Sequence, residues 1–369
     1  MTEFLLLLFI FVGELGLAAI VYLAGVFTDY PKAVFFAVYG LQFFASTIQG
    51  GMSDYFCRKK SLIVGFVAIC LGQLFFLLAF KHGYFLVLTV LLYGFLGNIT
   101  PIARAALVDT GFKNDFRTSV GLSTIAIAVG WVAMMYAAYY LSPFFACSLV
   151  SFICFISVFL SFFLKDPDDI GNRVFSLKNE LMLIKSFLNH NWVKWGLAGY
   201  LIAEIAFYQI FARGKGQVAN PDVRFVITTW VIGYCVGVLF QKWVIPKEKE
   251  RQGMLVGACL SILSMVGLIA TTHWHLKNEL VLICVNMMFS GGFGIFIPCL
   301  FSLISKKYDH HLQGKIYGLI DSADSLALII AVIILDLFSG ANLPELLLSS
   351  CILTVLSLGC FVLTIKKIR

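Results

Sequence analysis

Charge is scarce in this chain of 369 residues. Asp, Glu, Lys and Arg make up 13% of it, about half the ~25% of a soluble globular protein. Apolar residues reach 60%, with 36 Phe among them. A soluble body of this size cannot cover itself with so few charges, so lipid has to cover much of it. That excludes, for the chain as a whole, a soluble enzyme, a nucleic-acid binder, a disordered regulator and a secreted disulfide scaffold. Metal-spaced cysteines are missing too. No two of the ten Cys form a C-x-x-C pair; nine lie in apolar runs, and Cys57 sits in a short basic loop. They read as buried, inert thiols. No glycine-rich stretch runs into Gly-Lys-Ser/Thr, so there is no nucleotide-binding loop. A basic leader is also lacking: Met1-Thr2-Glu3 leads straight into an apolar segment of over twenty residues. That is too long for a cleaved signal peptide and is expected to be the first span.

What is present is a series of long apolar runs. A helix crossing the ~30 Å hydrocarbon core needs about 20 residues, and a helix satisfies its own backbone amides there. Twelve runs qualify, near 4–27, 31–52, 61–80, 83–108, 118–140, 143–164, 194–212, 223–245, 253–272, 278–304, 316–338 and 344–365. The expected fold class is therefore an all-α membrane protein of twelve transmembrane helices in two pseudo-symmetric six-helix bundles. With the N-terminus inside, 21 of the 27 Lys and Arg face the cytoplasm, counting Arg104 at a helix end. Only Lys32, Lys81, Arg213, Lys215, Arg224 and Lys277 fall outside, a strong positive-inside signal that puts both termini in the cytoplasm. Trp192, Trp195, Trp243 and Trp274 fall at expected interfaces.

The longest connection, 165–193, opens with Lys165-Asp166-Pro167-Asp168-Asp169 and continues into 175–188, which reads as a short amphipathic helix on the inner surface. It separates an N-terminal bundle (1–164) from a C-terminal bundle (194–369). A repeat at a constant offset of 197 supports this division: Gly40 matches Gly237, Gly94 matches Gly291, and Gly97 matches Gly294. Pro101 matches Pro298, Gly121 matches Gly318, and Leu122 matches Leu319. The matches fall on equivalent spans of two halves.

The loop after the second run reads Gly50-Gly51-Met52-Ser53-Asp54-Tyr55-Phe56-Cys57-Arg58-Lys59-Lys60. It resembles the cytoplasmic motif of the major facilitator superfamily, Gly-x-Leu-Ala-Asp-Arg-x-Gly-Arg-Arg-Lys. Tyr55 departs from the motif's Arg and Cys57 from its Gly. Pro101 through Asp109 with Arg117 and Gly121 is similar to the family's span 4–5 junction. Pro298 through Ser305, with Gln313-Gly314-Lys315 and Gly318, is similar to its span 10–11 junction. The resemblance implies a transporter of two rocking bundles, with Gly50, Asp54, Arg58 and Asp109 as a conformational latch. Asp54 can accept hydrogen bonds at a helix N-terminus, where the macrodipole favours an anion, and Arg58 can pair with Asp54 and Asp109. The alternative is that the basic residues only fix topology. Two further family patterns are missing. The antiporter pattern expected near Gly130 is replaced by Gly130-Trp131-Val132-Ala133, with no Gly-Pro. The span 4 Arg usual in drug:proton antiporters, four residues before a Gly, is Val90.

Charge within a span is costly and points to function. Glu14 and Glu204 each lie about ten residues into their spans, the first and seventh. The resemblance implies that spans 1, 4, 7 and 10 line a central cavity, where both acids can meet substrate or protons. Asn98, Thr100, Tyr208, Gln209 and Asn286 are their polar companions in the expected site. Interhelical hydrogen bonding by buried acids is the alternative role. Asp321 and Asp324 are expected to cap or pair near the cytoplasmic mouth, and His310-His311 reads as a solvated pair. Glycines 291, 292 and 294 read as close-packing sites between helices.

The leading functional expectation is a secondary active transporter in the inner membrane. Uptake (symport) or exchange of a small polar metabolite, coupled to a proton or other ion, fits better than drug or siderophore export. A membrane-embedded transferase and a non-transporting receptor are further alternatives; an enzyme is not expected. No cofactor, metal or nucleic-acid partner is expected. Membrane lipids surround what is expected to be a monomer.

Overall fold

The computed structural model describes residues 2–26, 28–110, 116–164, 191–215, 221–246, 248–273, 279–308, 312–337, 352–357, 359–360 and 362–363. The linker with its expected amphipathic helix lies outside them, as do His310 and His311. The described residues are almost entirely helical: α1 (Thr2–Leu23), α2 (Pro31–Phe56), α3 (Arg58–Ala79), α4 (Phe85–Phe95), α5 (Thr100–Thr110), α6 (Phe116–Tyr140) and α7 (Pro143–Ser161). Then follow α8 (Asn191–Lys215), α9 (Pro221–Val244), α10 (Glu250–His273), α11 (Glu279–Lys307) and α12 (Gln313–Leu337). Among the described residues, nine helical segments are long and apolar enough to cross a membrane. Helices α8 and α10 occupy the seventh and ninth expected spans.

The helices carry their polarity the wrong way round for water. On α7, Cys147, Val150, Cys154, Ser157 and Ser161 are buried, while Phe152, Phe155 and Phe159 are exposed. An apolar outer face with hydroxyls and thiols inside is what lipid selects. The N-cap of α7 is conventional: Ser142 accepts from the Phe145 amide at 3.3 Å, with Pro143 in the first turn.

The described residues fall into two compact units. One comprises Met1–Asn114, Leu122–Glu180 and Tyr308–Ser325; the other comprises Asp115–Gly121, Leu181–Lys307 and Leu326–Arg369. In the first, α3 packs on α4 and α7, α2 on α4, and α1 on α5 and α7. Phe9 and Phe66 meet edge to face at 4.7 Å in its core. In the second, α11 packs along both α9 and α10. Glycine makes those approaches possible: a methyl group on Gly237 would strike the Gly291 carbonyl, and one on Gly257 would sit 2.9 Å from Phe296. Gly94 presses likewise on Leu41 of α2. The repeat partners Gly94 and Gly291 thus lie at equivalent helix contacts.

One expected span is not continuous. The run 83–108 divides into α4 and α5, with residues 96–99 outside the helix. Pro101 gives the physical reason. It has no amide proton for the carbonyl of Gly97, and its ring collides with that carbonyl in a regular helix. The Ile99 amide turns back to the Gly97 oxygen at 3.0 Å. This frees the Phe95 carbonyl, which accepts from the Gln49 side chain.

Candidate functional site

The break places polar groups where an apolar helix would have none. Thr100, the first residue of α5, donates from Oγ1 to Glu14 Oε1 at 2.7 Å. The indole of Trp131 donates to Glu14 Oε2 at 3.0 Å. Both carboxylate oxygens are therefore held by neutral donors from α5 and α6. Gly130, beside that indole, allows the close approach: a methyl group there would come within 2.9 Å of the Phe11 carbonyl. The position where the family's antiporter pattern is missing thus serves the acid on α1.

Asn98 lies in the break and is buried. Its amide donates to Ser46 Oγ at 2.8 Å and to Asp321 Oδ2. Arg104, one turn beyond Thr100, is 6% exposed. Its Nε donates to Ser123 Oγ at 3.0 Å, its Nη2 to Thr124 Oγ1 at 3.3 Å, and its Nη1 lies 3.6 Å from Asp321 Oδ1. Thr47 and Ser322 share a hydrogen bond of 2.8 Å nearby. Thr100 and Arg104 are four residues apart on one helix face, so Glu14 and Asp321 are served from the same face of α5. Arg104 and Trp131 are absent from the sequence-derived site; Asp321, expected to cap or pair, has Arg104 as its cation. The sequence places Arg104 at a helix end, and its four-residue spacing from Thr100 is the signal that links the two.

A second cluster forms where α2 meets α3. Asp54 Oδ1 accepts from the Gly314 amide and Oδ2 from the Lys315 amide, each at 3.0 Å. These are free amides in the first turn of α12, so Asp54 caps that helix from another element. Arg58 Nη2 lies 2.5 Å from Asp54 Oδ1, and its Nε donates to Asp109 Oδ2 at 2.9 Å. Its Nη1 donates to Ser53 Oγ at 2.5 Å. Gly50 lets the backbones meet, because a methyl group there would strike the Gly314 carbonyl. Lys315 lies 5.0 Å from the ring centre of Tyr55, at the position where the family motif has Arg. Cys57, at the motif's Gly position, adopts φ 82° and ψ 132°. It is the only non-glycine residue with positive φ among the described residues.

In the other unit, Glu204 is buried on α8. Asn286 donates to Thr229 Oγ1 at 3.1 Å, joining α11 to α9. The side chains of Tyr208 and Gln209 lie outside the described residues. Glu250, at the start of α10, pairs with Lys306 and accepts from Ser302 Oγ at 3.3 Å. Arg117 Nη1 donates to the carbonyls of Ile245 and Pro246, each at 3.2 Å, just past the C-terminus of α9. A cation there complements the helix dipole. Among the described residues, no group of three or more His, Cys, Asp or Glu is placed to hold a metal ion.

A family model described as Major Facilitator Superfamily matches residues 4–332. The class C tetracycline resistance protein of Escherichia coli is 23% identical over 333 residues, covering 84% of this chain and 80% of that protein. Solved structures share the fold at low identity. The human organic anion transporter MFSD10 superposes with a TM-score of 0.75 at 12% identity, covering 100% of this chain and 99% of that one. A bacterial homologue of the iron transporter ferroportin gives 0.77 at 12%, covering 99% and 100%. The transporter FucP, a fucose:proton symporter of E. coli, gives 0.73 at 15%, covering 99% and 98%. The fold is all-α, with twelve transmembrane helices in two pseudo-symmetric six-helix bundles.

Proposed function

The chain belongs to the Major Facilitator Superfamily, and from that membership we propose that it moves a small polar organic molecule across the cytoplasmic membrane by alternating access coupled to protons. The bundles 1–164 and 194–369 rock about a central site, tethered by 165–193, with both termini in the cytoplasm. The observation that carries the coupling is the setting of Glu14. Its oxygens are held by the Thr100 hydroxyl and the Trp131 indole, 2.7 and 3.0 Å away. An acid paired to Arg is fixed in its charged form, whereas one held by neutral donors can exist with or without its proton. Alternating exposure of such a group loads a proton on one side and releases it on the other. Glu204 serves as a second proton site or substrate partner. Asn98, Thr100, Tyr208, Gln209 and Asn286 complete the polar lining. Gly50, Asp54, Arg58 and Asp109 act as the latch, because a helix N-terminus held by a buried carboxylate gives one conformation a definite energetic advantage.

A second reading, export of an amphipathic drug in exchange for protons, is favoured by the relative named as a tetracycline resistance protein. Proteoliposomes loaded with a pH-sensitive dye separate the two. The panel is amino acids, organic acids, sugars, nucleosides and tetracycline, each added under an imposed pH gradient. A polar metabolite should move protons through the wild type and not through Glu14→Gln with Glu204→Gln. A response to tetracycline alone supports export, and undiminished proton movement in the double variant rejects these carboxylates as carriers.

A further inference from the structure

The fourth span is broken, and its second half carries three of the contacts described above. Thr100, at the start of α5, donates to Glu14 at 2.7 Å. Arg104, one turn on, lies 3.6 Å from Asp321. Asp109, near the other end, accepts from Arg58 at 2.9 Å. One helix of eleven residues thus joins the acid on α1 to the latch. All of these residues belong to one compact unit.

The break separates α5 mechanically from α4. Residues 96–99 lie outside the helix, so no regular backbone ladder runs from one into the other. A few such residues can absorb the change of backbone angles that a tilting helix needs. Ile99 fixes where the tilt is centred. It is 1% exposed and fills notches at Gly13 of α1 and Gly65 of α3. A methyl group on Gly13 would come within 2.9 Å of it, and one on Gly65 would strike it. Beyond that point α5 is smooth, with Ala103, Ala105 and Ala106 buried, which suits the small sliding of packed helices. Asp109 lies ten residues past Ile99, about 15 Å along a helix. A tilt of about 10° moves it by about 2.5 Å, enough to break its bond to Arg58.

The charge on Glu14 can set that tilt. An indole N–H only donates, whereas a hydroxyl both donates and accepts. A neutral Glu14 keeps an oxygen toward Trp131 and turns its O–H toward Thr100, which reverses that bond. A charge-assisted hydrogen bond is roughly twice as strong as a neutral one, so the grip of α1 on the start of α5 loosens. Arg104, Asp321 and the phenol of Tyr39 also act on this acid electrostatically, from α5, α12 and α2. Neutralising it therefore removes an attraction for Arg104, on the same helix. At the far end, buried Arg58 bonds Asp54 Oδ1, the oxygen that also serves the Gly314 amide. When Asp109 withdraws, the guanidinium turns to Asp54 and competes for that oxygen.

We propose that α5 is a lever seated at Ile99, through which the charge of Glu14 sets whether Asp109 holds Arg58 and so whether Asp54 keeps its cap on α12. This rests on the proton reading of Glu14 and names the part that carries its signal to the latch.

The test is hydrogen–deuterium exchange on the purified full chain in detergent, with no gradient. Glutamine at position 14 turns its oxygen to Trp131 and its NH2 to Thr100, as the neutral acid does; Thr100→Val removes the hydroxyl and keeps the shape. Glu14→Gln and Thr100→Val should each speed exchange at Gly314 and Lys315 by about 5-fold or more, with α7 exchanging as in the wild type. Asp109→Ala should do the same, and adding Glu14→Gln to it should change the rate by less than about 2-fold. The lever is overturned if Glu14→Gln and Thr100→Val leave those amides at the wild-type rate, if Asp109→Ala does, if the effects of Glu14→Gln and Asp109→Ala add in full, or if α7 loosens in parallel. If it is overturned while Glu14→Gln with Glu204→Gln stops proton movement in proteoliposomes, the lever falls and the proton reading stands. If exchange responds as expected while that double variant still moves protons, the lever stands and the proton reading falls.

Discussion

Asp54→Asn tests the cap on α12 with a change of one atom. The wild-type carboxylate serves the Gly314 and Lys315 amides with separate oxygens, each at 3.0 Å. Asparagine has one oxygen, so its NH2 must face the other amide, donor against donor. Leaving a buried amide unsatisfied costs about 1–3 kcal/mol. Removing the charge from a helix N-terminus costs roughly 0.3–2 kcal/mol more. Together about 3 kcal/mol is lost, which is roughly 100-fold in the equilibrium between capped and released forms. Hydrogen–deuterium exchange of a peptide covering residues 312–320 reads this directly. Protection at Gly314 and Lys315 should fall by about two orders of magnitude, while α3 and α7 exchange as in the wild type. Transport should slow with the protein still folded. If those amides exchange at the wild-type rate in Asp54→Asn, the cap contributes nothing and Arg58, Lys59 and Lys60 act only on topology.

Cys57→Gly should stabilise the protein by about 1 kcal/mol, because the left-handed backbone of Cys57 strains any residue with a Cβ; a thermal shift upward by a few degrees in detergent checks it. Arg104→Leu should destabilise by roughly 3–5 kcal/mol by leaving Asp321 buried beside a hydrocarbon. Adding Asp321→Leu should recover much of that loss, as a double-mutant cycle of melting temperatures would show. Single cysteines replacing Lys59, Lys249 and Lys307 should react with an impermeant thiol reagent only from the cytoplasm, and one replacing Lys277 only from outside. Reversal at any of them overturns the assigned topology.

The sequence is most informative where local chemistry decides. Runs of apolar residues between charges mark the helices, and the offset of 197 marks Gly94 and Gly291, which lie at equivalent helix contacts. The motif around Asp54 suggests a helix N-terminus as its partner, though not which one. Two features escape such reading. Hydropathy averaged along 83–108 hides the interruption at 96–99, which Pro101 favours but does not by itself dictate. The pairing of Arg104 with Asp321 joins residues far apart in the chain, and neither carries a local sign of the other. The repeat even misleads here. Pro298, the counterpart of Pro101, lies inside the continuous α11, so one sequence feature has two structural outcomes.

The burial of Arg104 also bears on how the protein is made. Synthesis proceeds at about 5–20 residues per second, so Asp321 emerges on the order of ten to forty seconds after Arg104. During that interval the guanidinium sits near the inner end of its span without its acid, at a cost below the ~2.5–3.5 kcal/mol of a charge at the centre of a membrane helix. Ser123 and Thr124 follow it within about twenty residues and bind two of its three arms. The fourth and fifth spans are therefore expected to leave the insertion machinery as a pair, with α6 chaperoning α5. The late arrival of α12 then closes the charge, so that a chain truncated before residue 321 should hold its fourth span only loosely in the membrane.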